Sequence, residues 1–256
     1  MIDTHGVLPR FFAPGASVPG EVIALSDAET QHLMRVLRLR AGAAIRVFDG
    51  YGHEFDAVVS QAVKSGVTVT LGAAVDAPAA ETRVAITLAQ SVLKGDKMDD
   101  VIRDAVMMGV AAIQPIVAAR SEVSLASLTR GGRRARWQRI AVSSAKQCGR
   151  AVVPLVLDPQ GFEGLVLATP QPRVGGPGLM LVEPSAAADA VALSDLDPRA
   201  PCEATLVVGP EGGWSPQEVA LAAGTCRFVR LGSRTLRADA AAIVALAALL
   251  TIWREI

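Results

Sequence analysis

The chain has little of what marks several common kinds of site. Its three cysteines, Cys148, Cys202 and Cys226, stand at no metal-binding spacing, and pairing any two would leave an odd thiol. That pattern argues against a disulfide framework or a zinc site and predicts reduced, small apolar residues. Cys148 lies beside Lys146 and Arg150, but no histidine is near it in sequence, which argues against a nucleophile. The three histidines, His5, His32 and His53, are scattered over the N-terminal quarter without forming a ligand cluster. Packing or surface hydrogen bonding is their expected role, and no metal is expected. No basic segment followed by an apolar core opens the chain, so no secretory signal is expected. The longest apolar run, Ala240 to Trp253, is shorter than the roughly 20 residues that a bilayer requires. It predicts a buried helix whose alanines permit close approach by another helix or subunit. Formal charge is zero, so overall charge gives no pointer to nucleic acid.

What is present is concentrated between residues 205 and 245. An apolar run, Thr205 to Val208, enters a turn of Gly209, Pro210, Glu211, Gly212 and Gly213. A second run, Phe228 to Leu231, enters a loop from Gly232 to Arg237 before the long apolar helix. Glycines and charges at the C-terminal ends of strands are where open α/β sheets hold ligands, although each loop read alone also fits a tight turn. The first loop is not a phosphate-binding P-loop: it has no lysine and carries a carboxylate where a phosphate would sit. It is not a dinucleotide fingerprint either. An acid without a base suits a cationic or polyhydroxylated ligand better than a polyphosphate. Ser215, Pro216 and Glu218 fall at N-cap, N1 and N3 of a following helix, a capping box that assigns Ser215 to structure.

With 256 residues, 51% of them apolar, the chain has ample material for a core in one large or two modest domains. Residues 1–75 read as a small β-rich, barrel-like unit. Short strands are predicted over Val22–Leu25, Ala44–Phe48, Ala57–Gln61 and Val67–Leu71, with a helix from Asp27 to Arg38 capped by Ser26 or Asp27. Residues 76–82 form a plausible linker. From residue 83 to 256 strands and helices alternate as in a parallel α/β sheet. Strands are predicted at Val84–Ala89, Ala112–Val117, Val152–Leu157, Gly178–Val182 and Ala204–Val208. Helices are predicted over Lys97–Met108 and from about Arg134 to Gln147, and Gln171–Gly178 reads as a surface loop. Between Arg130 and Arg150 there are seven basic residues and no acid. A second basic cluster comprises Arg35, Arg38, Arg40 and Arg46. Each fits either a set of phosphate contacts or a solvated helix face.

Taken in order, several segments resemble one family. They are Pro9-Arg10-Phe11-Phe12, His32-Leu33-Met34-Arg35-Val36-Leu37-Arg38, Lys94-Gly95-Asp96-Lys97-Met98-Asp99, Arg136-Trp137-Gln138-Arg139-Ile140 and Gln147-Cys148-Gly149-Arg150. Gly209–Gly213 and Leu231–Arg237 complete the set. The chain resembles the bacterial 16S ribosomal RNA uracil-N3 methyltransferases of the SPOUT superfamily over nearly its whole length. The resemblance implies a SPOUT-type parallel sheet with a C-terminal trefoil knot, one of the rare exceptions to unknotted topology, preceded by a PUA-like RNA-binding barrel. It implies S-adenosylmethionine as cofactor, 16S ribosomal RNA in the small ribosomal subunit as substrate, a homodimer, and a cytoplasmic location with no membrane contact.

On that resemblance, the cofactor contacts are Glu183, Pro184 and Ser185, then Gly209, Pro210, Glu211, Gly212 and Gly213, then Leu231, Gly232, Ser233 and Leu236. Arg237 and Arg234 are candidates to stabilise charge on the uracil oxygens. Glu211 is a candidate catalytic group, with Asp239 or a water as other candidates for the base. Candidate RNA contacts are Arg10, Arg35, Arg38, Lys94, Lys97, Arg136, Arg139 and Arg150. One departure stands out. The family usually has Arg-Thr-Glu-Thr-Ala where this chain reads Arg237-Ala238-Asp239-Ala240-Ala241. If the threonines serve as helix caps, Asp239 can act as N-cap in their place; if a hydroxyl touches cofactor or base, affinity or rate falls. An inactive RNA-binding relative and a transfer-RNA methyltransferase are the alternative readings.

Overall fold

The computed structural model describes residues 8–168, 176–184, 186–187 and 189–256. His5, Ser185 and most of the Gln171–Gly178 loop lie outside them. The described chain forms two compact units. The first contains the residues up to Glu81 together with Ala145–Val153, and the second contains Thr82–Ser144 and Pro154–Ile256.

The first unit has β1 (Arg10–Phe12), β2 (Val22–Ala24), α1 (Asp27–Gln31), β3 (Ala44–Phe48), β4 (Glu54–Val63) and β5 (Gly66–Val75). The strand order is β1-β3-β4-β5-β2; β1 runs parallel to β3 and the other pairs are antiparallel. Strand alternation sends one face inward, so Ile45, Val47, Val67, Val69 and Leu71 pack with Phe11 and Leu33 in one core. Ser26 caps α1 by accepting from the Glu29 N–H. The helix expected to reach Arg38 instead widens after Gln31 into a π-helical turn over His32–Val36 and stops at Arg38, whose φ is 55°. That left-handed residue cannot continue a right-handed helix.

Of residues 76–82, read as a linker, those up to Glu81 belong to the first unit and are tied down there. The Ala79 N–H donates to the Gly149 carbonyl, and Arg150 pairs with Glu81. Val152 bridges to Gly50 and Tyr51, and the Val153 N–H donates to the Gly50 carbonyl. The strand expected over Val152–Leu157 therefore shortens to two residues.

The second unit opens with β6 (Ala85–Ser91), α2 (Lys97–Met107) and β7 (Ala112–Val117). After α3 (Leu125–Arg130) comes α4 (Arg133–Cys148), whose last turn belongs to the first unit. Then follow β8 (Leu155–Val156), β9 (Gln160–Gly161), α5 (Phe162–Ala168), β10 (Gly178–Leu181) and β11 (Val191–Ala192). β12 (Glu203–Val208), α6 (Pro216–Ala222), β13 (Cys226–Arg230) and α7 (Ala238–Ile252) complete the unit. The sheet order is β11-β13-β10-β12-β6-β7-β8, with β9 beside β7, and every pair is parallel. Parallel sheets are covered on both faces, which is why β10 is buried at every position.

The α7 helix is almost wholly aliphatic. Ala241, Ala242, Ala245, Leu246, Leu249 and Leu250 are buried, while Ala240 and Val244 remain exposed. No helix among the described residues is long and apolar enough to cross a membrane.

Candidate active site

Three neighbouring parallel strands, in the order β13-β10-β12, end at one edge of the sheet. β10 runs through Val182 into Glu183 and Pro184. β12 enters residues 209–213, and β13 enters residues 231–237 ahead of α7. Such strand ends form the crevice of an open α/β sheet. Here they enclose a cavity of about 320 Å³, within the usual range of small-molecule sites.

Of the expected cofactor contacts, Glu183, Pro184, Gly209, Pro210 and Glu211 line the cavity, as do Gly213, Leu231 and Leu236. Gly212, Gly232 and Ser233 do not. Gly212 instead accepts from Arg120 Nη1 through its carbonyl at 2.9 Å. Arg234, Arg237 and Lys97 bring three cations to the wall.

Leu181, Val182, Val208 and Trp214, none of them expected at the site, form the apolar part of the wall together with Ala238 and Ala241 of the departing segment. Trp214 braces two loops. Its indole Nε1 donates to the Leu181 carbonyl at 2.8 Å, and its ring packs 4.8 Å from that of Phe162. Gly213 has φ 67°, and a Cβ there would stand 2.7 Å from Glu183 Oε1. Glycine takes that conformation without strain, and any side chain there would push the Glu183 carboxylate aside.

Ser215 is structural, as its pattern predicts. Its Oγ accepts from the Glu218 N–H at 3.2 Å, and Glu218 Oε2 accepts from the Ser215 N–H at 2.9 Å. The other oxygen of buried Glu218 accepts from the Ala119 N–H at 2.8 Å. One carboxylate thus ties the start of α6, and with it the 209–213 loop, to the segment after β7. Glu218→Ala would strand two N–H groups and is expected to cost about 1–3 kcal/mol of stability. Urea unfolding measures this, and an unchanged midpoint would contradict it.

Glu211 is held by the start of α2 and the loop before it. Its Oε1 accepts from Lys97 Nζ at 3.1 Å and from the Lys94 N–H at 3.3 Å. Burial alone would raise its pKa. Hydrogen bonds from its own backbone N–H, Lys97 and Lys94, together with the Lys97 charge, outweigh burial and hold it below the usual carboxylate range. Asp239 behaves similarly. Burial raises it, but the Ala240 N–H and the Arg237 guanidinium lower it further.

Asp239 is not the N-cap of α7, contrary to the role considered for it. Arg237 holds that position, without a side-chain cap bond, and Asp239 lies in the first turn. There Asp239 accepts from the Ala240 N–H at 3.0 Å and from Arg237 Nη2 at 2.8 Å. The Asp239 charge is favourable at a helix N-terminus. Ala238, where the related pattern has threonine, is in the cavity wall, whereas Ala240 is exposed.

The basic residues divide sharply. Arg10 and Arg150, expected on an RNA surface, are buried at 7% and 3% exposure and paired with Glu54 and Glu81. Arg136 pairs with Asp96 and Asp99, Lys146 with Glu29, and Lys94 with Glu122. Arg35, Arg38, Arg40, Arg133 and Arg139 are exposed, and none has an acid within 4.0 Å among the described residues. No group of three or more His, Cys, Asp or Glu among the described residues could hold a metal ion. The three thiols are unpaired, and burial raises that of Cys226.

A parallel α/β sheet with a glycine-lined, charged crevice at its strand ends defines the second unit, and residues 80–250 match the RNA methyltransferase domain family. Residues 25–72 match the RNA methyltransferase PUA domain. The chain belongs to the ribosomal RNA small subunit methyltransferase E family. It is 31% identical over 228 residues to the member from Synechocystis, covering 88% of this chain and 71% of that protein. It is similar to the crystal structure of the Neisseria gonorrhoeae member bound to S-adenosyl methionine, at 33% identity and a TM-score of 0.84, covering 96% and 98% of the two chains. A Legionella pneumophila methyltransferase in complex with the same cofactor gives 30% identity and a TM-score of 0.85, covering 95% and 97%.

Proposed function

We propose that the protein transfers a methyl group from S-adenosylmethionine to N3 of a uridine in 16S ribosomal RNA, acting on the small ribosomal subunit in the cytoplasm. The observation that carries the reading is one cavity wall built from the loops of three neighbouring strands, with carboxylates, backbone groups and an apolar floor converging. This donor set fits the cofactor. Glu183 and Glu211 suit its ammonium or ribose hydroxyls, backbone groups near Gly209 and Gly213 suit the adenine edge, and Val208 and Leu236 suit its apolar faces. The bound cofactor supplies an electrophilic methyl group on a sulfonium.

The residues of this chain then have separable tasks. Arg237, with its guanidinium steadied by Asp239, takes the role of stabilising negative charge on the uracil oxygens, with Arg234 as a second donor. Glu211 and Asp239 are both kept ionised by hydrogen bonds and cations, which suits them to electrostatic positioning better than to proton removal. The N3 proton leaves to water. Because N3 faces its pairing partner in a duplex, the target base must be unpaired or extruded.

In this reading residues 1–75 are the PUA-like RNA-binding domain, 76–82 a connection, and 83–256 the catalytic domain with its C-terminal trefoil knot. Arg35, Arg38 and Arg139 contact phosphates, and Lys94, Lys97 and Arg136 do so by exchanging their carboxylate partners for RNA. The exposed aliphatic face of α7, with Ala240 and Val244, supports a homodimer.

Calorimetric titration with S-adenosylmethionine tests the cofactor assignment: one site per chain is expected, and no heat of binding would favour an inactive RNA-binding relative. Gly213→Ala is expected to weaken that binding ~10-fold, about 1.4 kcal/mol, because its Cβ would push the Glu183 carboxylate out of place. An unchanged affinity would remove Gly213 from the site.

A further inference from the structure

The β3–β4 turn, Asp49 to His53, carries the only tyrosine of the chain. Tyr51 is 76% exposed. The turn that displays it is built to be stiff. Buried Asp49 accepts from the Tyr51 N–H at 2.7 Å and the His53 N–H at 3.0 Å through Oδ1, and from His53 Nδ1 at 2.7 Å through Oδ2. Gly50 has φ 85°, and a Cβ on it would stand 2.7 Å from Phe12 Cε2, so the close approach requires glycine. From the other side, the Val153 N–H donates to the Gly50 carbonyl at 2.9 Å and the Gly52 N–H to the Ala151 carbonyl at 3.3 Å. The His53 side chain is 72% exposed. A carboxylate only accepts, so the contact selects the tautomer with the proton on Nδ1, which leaves Nε2 as the acceptor.

We propose that Tyr51 and His53 form a docking platform for one unpaired RNA base, with Tyr51 stacking on its face and His53 Nε2 accepting from a base-edge N–H or a ribose 2′-hydroxyl. The proposal rests on the RNA-methyltransferase reading and adds a site in the first unit, away from the cofactor loops in sequence. Aromatic faces are the usual receptors for splayed bases, and every base has a π-face to offer. A protein partner would need an apolar patch, whereas the rest of this turn is Asp49, two glycines and His53. A ring held out by a fixed backbone also loses little freedom on binding.

The test is co-sedimentation with small ribosomal subunits lacking the modification, using Tyr51→Ala, Tyr51→Phe and the parent chain, with S-adenosylmethionine affinity measured in parallel. Tyr51→Ala is expected to bind subunits ~5-fold or more weakly, Tyr51→Phe to stay near the parent, and cofactor affinity to be unchanged in both. Tyr51→Ala binding like the parent would overturn the platform while leaving the RNA reading intact. So would Tyr51→Phe failing as badly as Tyr51→Ala, which would assign the effect to the hydroxyl. A change in self-association without a change in subunit binding would give the ring to a second copy of the chain and also overturn the proposal. A parent chain that binds no subunits and no RNA would remove the platform and the RNA reading together.

Discussion

Arg237→Ala is expected to lower kcat for methyl transfer by ~10²–10³-fold while leaving S-adenosylmethionine affinity within a small factor, the behaviour of a donor that acts on developing charge. The guanidinium lines the cavity at the N-cap of α7, where its Nη2 donates to Asp239 at 2.8 Å. Its fork of donors can face an oxygen while one arm keeps its tether. Arg237→Lys should recover only part of the loss, because an ammonium cannot serve Asp239 and the base with the same geometry. Single-turnover kinetics separate the chemical step from binding. A fall confined to KM would instead make Arg237 a binding residue.

The second large effect concerns stability. Arg10→Ala is expected to destabilise the first unit by about 3–5 kcal/mol, the cost of leaving a buried charge without its partner. Arg10 Nε and Nη2 grip Glu54 at 3.0 and 2.7 Å. Its remaining donors reach the carbonyls of Ala145, Lys146 and Arg150 at 3.1, 2.8 and 3.0 Å, and its guanidinium lies 4.6 Å from the Phe48 ring centre. Arg10 thereby ties β1 to the end of α4 and the turn after it. Arg10→Lys should not rescue, since one ammonium cannot make both contacts to Glu54 and reach three carbonyls. The double variant Arg10→Met with Glu54→Leu should lose less than Arg10→Ala alone, because no bare charge remains. Denaturant unfolding followed by a probe in the first unit measures this, and a midpoint like the parent's would contradict it.

The site was legible in the sequence wherever backbone chemistry dictates residue type. Gly209–Gly213 and Leu231–Arg237 were visible because glycine and proline punctuate the ends of apolar runs. Ser215 was assigned correctly because a capping box is a local pattern. The apolar wall was not legible: Val208 and Leu181 in a strand end look the same whether they face a core or a cavity. Their one signal was position, as the last residues before or beside a ligand loop. Ion pairs were equally hidden. The run from Arg130 to Arg150 contains no acid, yet Arg136, Lys146 and Arg150 are neutralised by Asp99, Glu29 and Glu81, each far away in sequence. A linear count of charge therefore overstated the cationic surface. β1 escaped notice because three residues show no alternation and their parallel partner is supplied by tertiary structure. The widened turn at His32–Val36 has no distinct periodicity over so short a span.

The most direct measurement is incubation of the protein with methyl-labelled S-adenosylmethionine and small ribosomal subunits lacking the modification, followed by digestion and identification of the labelled nucleoside. Labelled N3-methyluridine from 16S ribosomal RNA is the expected result. Label at another atom or in transfer RNA, or no transfer to subunits, free 16S RNA and transfer RNA alike, would contradict it, and the last outcome would make Ala238 in the cavity wall the first residue to examine.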